Sequence, residues 1–139
     1  MKVKEAMHAG VQWVEPKTPL TTIAKLMRDY DVGALPVGEN DRLVGMITDR
    51  DIVCRAIAEG RDLAMTTARD VMSKGIVFCR TDEELDEAVR LMEKKKVRRL
   101  PVINKDKRMV GMLSLGDISS TGSRQLCGEV LQAVSAHHA

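Results

Sequence analysis

Apolar positions change period along this chain in an order that then repeats. Ile23, Leu26, Met27 and Tyr30 fall at i, i+3, i+4 and i+7, one face of a helix. Thr18 suits its N-cap and Pro19 its first position, where proline's fixed φ matches the turn. Before it lies a β-prone run, Val11-Gln12-Trp13-Val14. After it, Leu35 to Gly38 and Leu43 to Ile47 flank the polar turn Glu39-Asn40-Asp41 and predict a hairpin, with a helix beginning at Thr48.

The order then recurs. Ile76-Val77-Phe78-Cys79 is the second β-prone run, and Leu85, Ala88, Val89 and Met92 form the second helical face. Thr81 and Glu84 have capping-box spacing, with Lys94, Lys95 and Lys96 at the negative end of the dipole. Leu100 to Ile103 and Met109 to Leu113 flank Asn104-Lys105-Asp106-Lys107, and a helix follows from Ser114. Short amphipathic segments, Val3 to Met7 and Ala68 to Met72, open the copies.

The copies also match residue by residue. Leu35-Pro36-Val37 returns as Leu100-Pro101-Val102, 65 positions on. Gly45-x-x-Thr48-x-x-Asp51 returns as Gly111-x-x-Ser114-x-x-Asp117, 66 positions on, so one residue has entered the turn between them. A tandem duplication predicts two pseudo-symmetric β-α-β-β-α repeats of α/β class, each with a small three-stranded sheet. We assign residues 1–62 to the first, 63–121 to the second and 122–139 to a C-terminal helix and tail. After Gly122 and Ser123, Leu126, Val130, Leu131 and Val134 mark that helix, Arg124 to Ala136. A unit of about 65 residues buries a smaller share of its surface than one twice as long, so we expect one compact module with a shared core.

Composition narrows the function classes. The 139 residues are 44% hydrophobic and 30% charged, with a net charge of +2, ordinary for a globular protein and too weak to imply nucleic acid. Aromatics are only 2%, so the basic run Lys94 to Arg99 lacks the stacking residues of single-strand binders. Cys54, Cys79 and Cys127 show no metal-ligand spacing, and Cys54 and Cys79 fit small packed hydrophobes. No apolar run suggests a leader or membrane span, and we expect a cytoplasmic protein. His8, His137 and His138 lie near the termini, and no nucleophile stands beside a base in a recognisable motif.

The repeated glycine, hydroxyl and carboxylate carry the chemistry. A glycine in a strand marks close approach of a ligand or another backbone. A hydroxyl at a helix N-cap sits where free N–H groups favour an anion. An aspartate in the first turn can accept from both hydroxyls of a ribose diol. Thr48/Asp51 and Ser114/Asp117 fit helix capping equally well. Leu35-Pro36 and Leu100-Pro101 read as strand starts, where proline is tolerated, and could also wall a planar base. The copies differ just before them: Gly33-Ala34 in the first, Arg98-Arg99 in the second. Arginine suits bidentate contact with phosphate.

The repeat resembles a tandem pair of cystathionine β-synthase (CBS) domains, the Bateman module, over about residues 1 to 120. The resemblance implies sheets packed together with two clefts between repeats, and regulatory binding of AMP, ADP, ATP, NAD or S-adenosylmethionine, with no tightly required cofactor or metal. By it, Thr48 and Ser114 contact phosphate and Asp51 and Asp117 hold ribose. Bases lie against Gly10, Val11, Gln12, Leu35 and Pro36, or Gly75, Ile76, Val77, Leu100 and Pro101. Ala34 and Arg50 complete the first copy; Arg98 and Arg99 complete the second, Arg99 toward phosphate. The resemblance further implies a homodimer, with Ile52, Val53 and Ile118 offered to the partner, and an unidentified regulated protein. The competing classes are nucleic-acid binding through Lys94 to Arg99 and a small nucleotide-processing enzyme.

Overall fold

The computed structural model describes residues 1–10, 12–121 and 124–135; Val11, Gly122, Ser123, Ala136, His137, His138 and Ala139 lie outside them. In chain order the elements are α1 (Val3–Ala6), β1 (His8–Ala9), α2 (Leu20–Tyr30), β2 (Ala34–Glu39), β3 (Arg42–Thr48), α3 (Asp49–Ile52) running into a π-helical turn (Val53–Ile57), α4 (Ala68–Val71), β4 (Cys79–Arg80), α5 (Leu85–Lys95), β5 (Arg99–Ile103), β6 (Met109–Ser114), α6 (Leu115–Ser120) and α7 (Arg124–Ser135). Packing divides the chain into two compact units, Met1–Val11 with Val77–Ala139, and Gln12–Ile76. The segment that opens the first repeat thus packs with the second.

The first of these units holds a four-stranded sheet in the order β1-β6-β5-β4, antiparallel except for the parallel pair β4–β5. The Gln12–Ile76 unit holds the β2–β3 hairpin, flanked by a parallel bridge Val14–Val37 and an antiparallel bridge Met46–Ser73. These bridges fall where β4 and β1 stand in the other unit. Both sheets therefore follow one plan, which differs from the three strands expected. The extra position in each is filled by the segment preceding the other repeat's first β-prone run. That run is also shorter than expected, reduced to Cys79–Arg80 in one unit and the Val14 bridge in the other.

The hydrophobic periodicity places the helices correctly. Leu20, Ile23 and Met27 of α2 and Leu85, Ala88, Val89 and Met92 of α5 are buried in their units' cores, where each large side chain contributes about 1.5–3 kcal/mol of transfer free energy. Their ends also match. Asp31 and Lys96 take the left-handed conformation, φ 53° and 56°. Val32 and Val97 N–H then donate to the Met27 and Met92 carbonyls, closing each C-terminus with an apolar residue just beyond it.

The helix starts differ from expectation. Pro19 occupies the N-cap of α2, and Thr18 Oγ1 accepts from Glu15 N–H at 3.1 Å, stabilising the preceding turn. Glu84 occupies the N-cap of α5, and its carboxylate meets Lys2 Nζ at 2.7 Å, so no box with Thr81 forms. Lys2 is the principal reason that the Glu84 carboxyl lies below the usual range. Pro36 and Pro101 are interior to β2 and β5. Pro36 is tolerated because its parallel neighbour Val14 takes only the carbonyl of residue 36, donating to it at 3.0 Å.

Cys79 is buried, and desolvation pushes its thiol up to about 12. Cys54 is exposed, contrary to its reading as a packed residue; it lies in the π-helical turn, of which only Ala56 is buried.

Gly45 and Gly111 have a structural cause. A Cβ on Gly45 would meet Met72 Sδ at 2.6 Å and the Ser73 carbonyl at 3.1 Å. One on Gly111 would clash with the His8 carbonyl oxygen. The glycines admit a neighbouring backbone. Gly111→Ala should cost about 1–3 kcal/mol through overpacking, and Gly45→Ala less, because the Met72 side chain can move whereas a backbone carbonyl in a sheet cannot. Thermal denaturation of both variants checks the order; an equal or reversed effect would count against this cause.

Candidate functional site

Both repeated motifs sit where a strand passes into a helix. Thr48 ends β3 and Ser114 ends β6, each in extended conformation at an N-cap. Thr48 N–H donates to Asp51 Oδ2 at 3.0 Å, and Asp51 N–H donates to Thr48 Oγ1 at 3.0 Å. In the other copy Ser114 N–H and Oγ donate to Asp117 Oδ2 at 2.8 and 3.0 Å, and Asp117 N–H donates to Ser114 Oγ at 3.1 Å. Both are complete capping boxes. Thr67 and Asp70 do similar work at α4, where Thr67 N–H donates to Asp70 Oδ2 at 2.9 Å with no glycine three residues before. Capping alone thus accounts for hydroxyl and carboxylate spacing.

What capping leaves over is one carboxylate oxygen per motif. Asp51 and Asp117 are both buried residues, 9% and 7% exposed, and each commits Oδ2 to its box. Oδ1 of Asp51 has Arg55 Nε at 3.8 Å, while Arg55 Nη1 donates to the Val71 carbonyl at 3.2 Å. Oδ1 of Asp117 has His8 Nδ1 at 2.6 Å. His8 escaped the sequence reading because it lies more than a hundred residues away. Only the β1–β6 register, which pairs His8 with Met112, brings it beside the motif.

The remaining candidates fall around these motifs, unit by unit. In the Gln12–Ile76 unit, Ala34 is the strand partner of Thr48, and Arg50 is exposed in α3. Asp49, whose carboxylate lies 3.0 Å from where a Gly33 Cβ would be, adds negative charge there. Gly75, at φ 68°, and Ile76 follow the Ser73 bridge; Gln12 is exposed at the start of the unit.

In the other unit, Arg99 is the strand partner of Ser114, and the Arg98 carbonyl accepts from Leu115 N–H at 2.9 Å. Both arginines are exposed and pair with no carboxylate among the described residues. Gly10, at φ 69°, follows β1, and Val77 is half-buried before β4; Val11 lies outside the described residues. Leu35, Pro36, Leu100 and Pro101 are buried. The two leucines belong to their units' cores, so their side chains face away from any external base.

The model of one family, the CBS domain, matches residues 3–56 and 68–122. The chain belongs to the CBS domain family, as a tandem pair. It is 40% identical over 117 residues to hypoxic response protein 1 of Mycobacterium tuberculosis, covering 84% of this chain and 81% of that one. It is 37% identical over 134 residues to the CBS domain-containing protein YhcV of Bacillus subtilis, covering 96% and 94%. A solved structure of hypoxic response protein I with two coordinated zinc ions superposes with a TM-score of 0.79 at 39% identity, covering 86% of this chain and 98% of that one. CBSX2 in complex with AMP superposes with a TM-score of 0.75 at 25% identity, covering 87% and 95%. Among the described residues of this chain, no group of three or more His, Cys, Asp or Glu is placed to hold a metal ion. No helix among them is long and apolar enough to cross a membrane.

Since each aspartate completes a cap, Asp51→Ala and Asp117→Ala should each cost about 0.5–2 kcal/mol, and Asp→Asn less, because an amide oxygen still accepts the box hydrogen bonds. Chemical denaturation of the four variants measures this. Equal losses for Ala and Asn would remove capping as the structural role.

Proposed function

We propose that this CBS pair is a regulatory module that binds an adenosine-containing nucleotide through Asp51 and Asp117 and signals its occupancy to a partner protein. The observation that carries the reading is the division of labour in each carboxylate, with Oδ2 spent on the cap and Oδ1 outside it. What sets these two aspartates apart from the capping Asp70, whose residue is exposed, is that the carboxylate carrying the uncommitted oxygen is buried, where a ribose hydroxyl could donate to it. AMP in the CBSX2 complex supports the ligand class. AMP, ADP, ATP, NAD and S-adenosylmethionine share the adenosine such a site would hold. Thr48 and Ser114 would stand beside the phosphate, and Gly10, Gln12, Gly75, Ile76 and Val77 beside the base.

The copies are unequal in charge. Asp49 beside Gly33 opposes an anion near Thr48, and Arg50 only partly offsets it, whereas Arg98 and Arg99 flank Ser114 with no second acid. Arg99 is therefore the phosphate determinant we assign, acting at the Ser114 copy. The run Lys94 to Lys96 completes the C-terminus of α5 and is not read as a nucleic-acid surface. No nucleotide-processing role is proposed.

We assign a homodimer in the cytoplasm, where the three free thiols remain reduced. Of the residues offered to a partner, only Val53 suits the role, at 54% exposed. Ile52 and Ile118 are spent on their own units' cores. Ile57, also 54% exposed, stands one helical turn beyond Val53 and takes their place.

Calorimetric titration of the five ligands tests the reading. Asp51→Ala and Asp117→Ala should weaken nucleotide binding while the protein stays folded; unchanged affinity with lowered stability would leave capping as the aspartates' only role. Arg99→Ala should weaken AMP about tenfold, the low end for a hydrogen bond to a charged group because Arg99 is exposed. Adenosine should lose little. Equal losses for AMP and adenosine would remove Arg99 from phosphate recognition.

A further inference from the structure

We propose that His8 is the specificity-determining residue that sets the two ribose carboxylates apart, holding Asp117 Oδ1 so that a ribose must displace it at the Ser114 copy. This rests on the nucleotide reading above. His8 Nδ1 lies 2.6 Å from Asp117 Oδ1, the oxygen that the capping box leaves over. The contact is one of proximity and charge, an ion pair when the imidazole is protonated. The His8 side chain is 69% exposed and that of Asp117 only 8%. The imidazole therefore stands between the carboxylate and solvent, held at one atom and free to swing away. Its backbone is fixed by the pairing of His8 with Met112 and Ala9 with Gly111.

The other copy lacks this donor. The position matching His8 is Ser73, which bridges Met46 as His8 pairs with Met112. The Ser73 side chain makes no hydrogen bond to Asp51, whose Oδ1 has only the Arg55 contact at 3.8 Å. A diol arriving at Asp51 meets an oxygen whose one charged neighbour is at the edge of contact and also engaged with Val71. One arriving at Asp117 must first displace an imidazole that touches the oxygen. The same two carboxylates on the same scaffold therefore answer different nucleotide concentrations.

The test isolates the Asp117 copy in an Asp51→Ala background and titrates AMP by calorimetry with and without His8→Ala. Removing the competing imidazole should tighten AMP roughly threefold to tenfold, the range for a contact of ordinary hydrogen-bond strength, because His8 is exposed. 2′,3′-Dideoxy-AMP, which lacks the diol, should show no gain, and Asp117→Ala should abolish the gain for AMP. Thermal melting confirms that each variant is folded. Unchanged or weaker AMP binding on losing His8, or an equal gain for the dideoxy nucleotide, would overturn the role of His8 while leaving the nucleotide reading intact. No nucleotide binding by the wild type or any variant would overturn both.

Discussion

Backbone contact at Gly45 and Gly111 governs the rest of the structure. In each unit a strand accepts a neighbouring segment closely: a Cβ on Gly111 would clash with the His8 carbonyl, and one on Gly45 would meet the movable Met72 side chain and crowd the Ser73 carbonyl. That contact adds the outer strand or bridge to the sheet. It also draws the opening segment of the chain into the unit formed by the second repeat. The strand ending three residues later delivers the hydroxyl and then the aspartate. Fold and candidate site thus share one constraint, and the glycine that looks like a ligand signal is first a packing necessity.

The same economy runs through the aspartates. One carboxylate oxygen closes a capping box, the other is left for an external donor, and the box fixes where that second oxygen lies. On the proposed reading, recognition is coupled to stability, because removing the carboxylate removes the cap together with the ribose acceptor. The thiol of Cys79, held up by burial, and the exposed Cys54 illustrate the complementary case, in which equal side chains carry unequal chemistry because only one is packed.

Much of this was legible in the residues themselves. Helical periodicity gave the buried face of α5 through Leu85, Ala88, Val89 and Met92, and that of α2 only in part: Ile23 and Met27 are buried and Leu26 packs at the core's edge, but Tyr30 at the helix end is exposed. The hairpins followed from Asn40-Asp41 and Asn104 to Lys107, and the motif from its repetition. What escaped was non-local. Thr18 and Thr81 match N-cap rules, yet Pro19 and Glu84 took those places, and the Leu20 and Leu85 N–H groups donate to the Thr66 and Met1 carbonyls of neighbouring segments. Ile52 and Ile118 read as partner-facing because a helical wheel cannot say which neighbour covers a face. The His8–Asp117 contact has no sequence signal, depending on a strand register between the two ends of the chain.

The central claim is that Oδ1 of the motif aspartates is a ribose acceptor. A crystal structure of this protein grown with AMP tests it most directly. The account predicts ribose hydroxyls within about 2.6–3.2 Å of Oδ1 of Asp51 or Asp117, with the Oδ2 capping bonds retained. At Asp117 it predicts the His8 imidazole turned away. Ordered AMP with its ribose distant from both carboxylates, the boxes and the His8 contact unchanged, would contradict it.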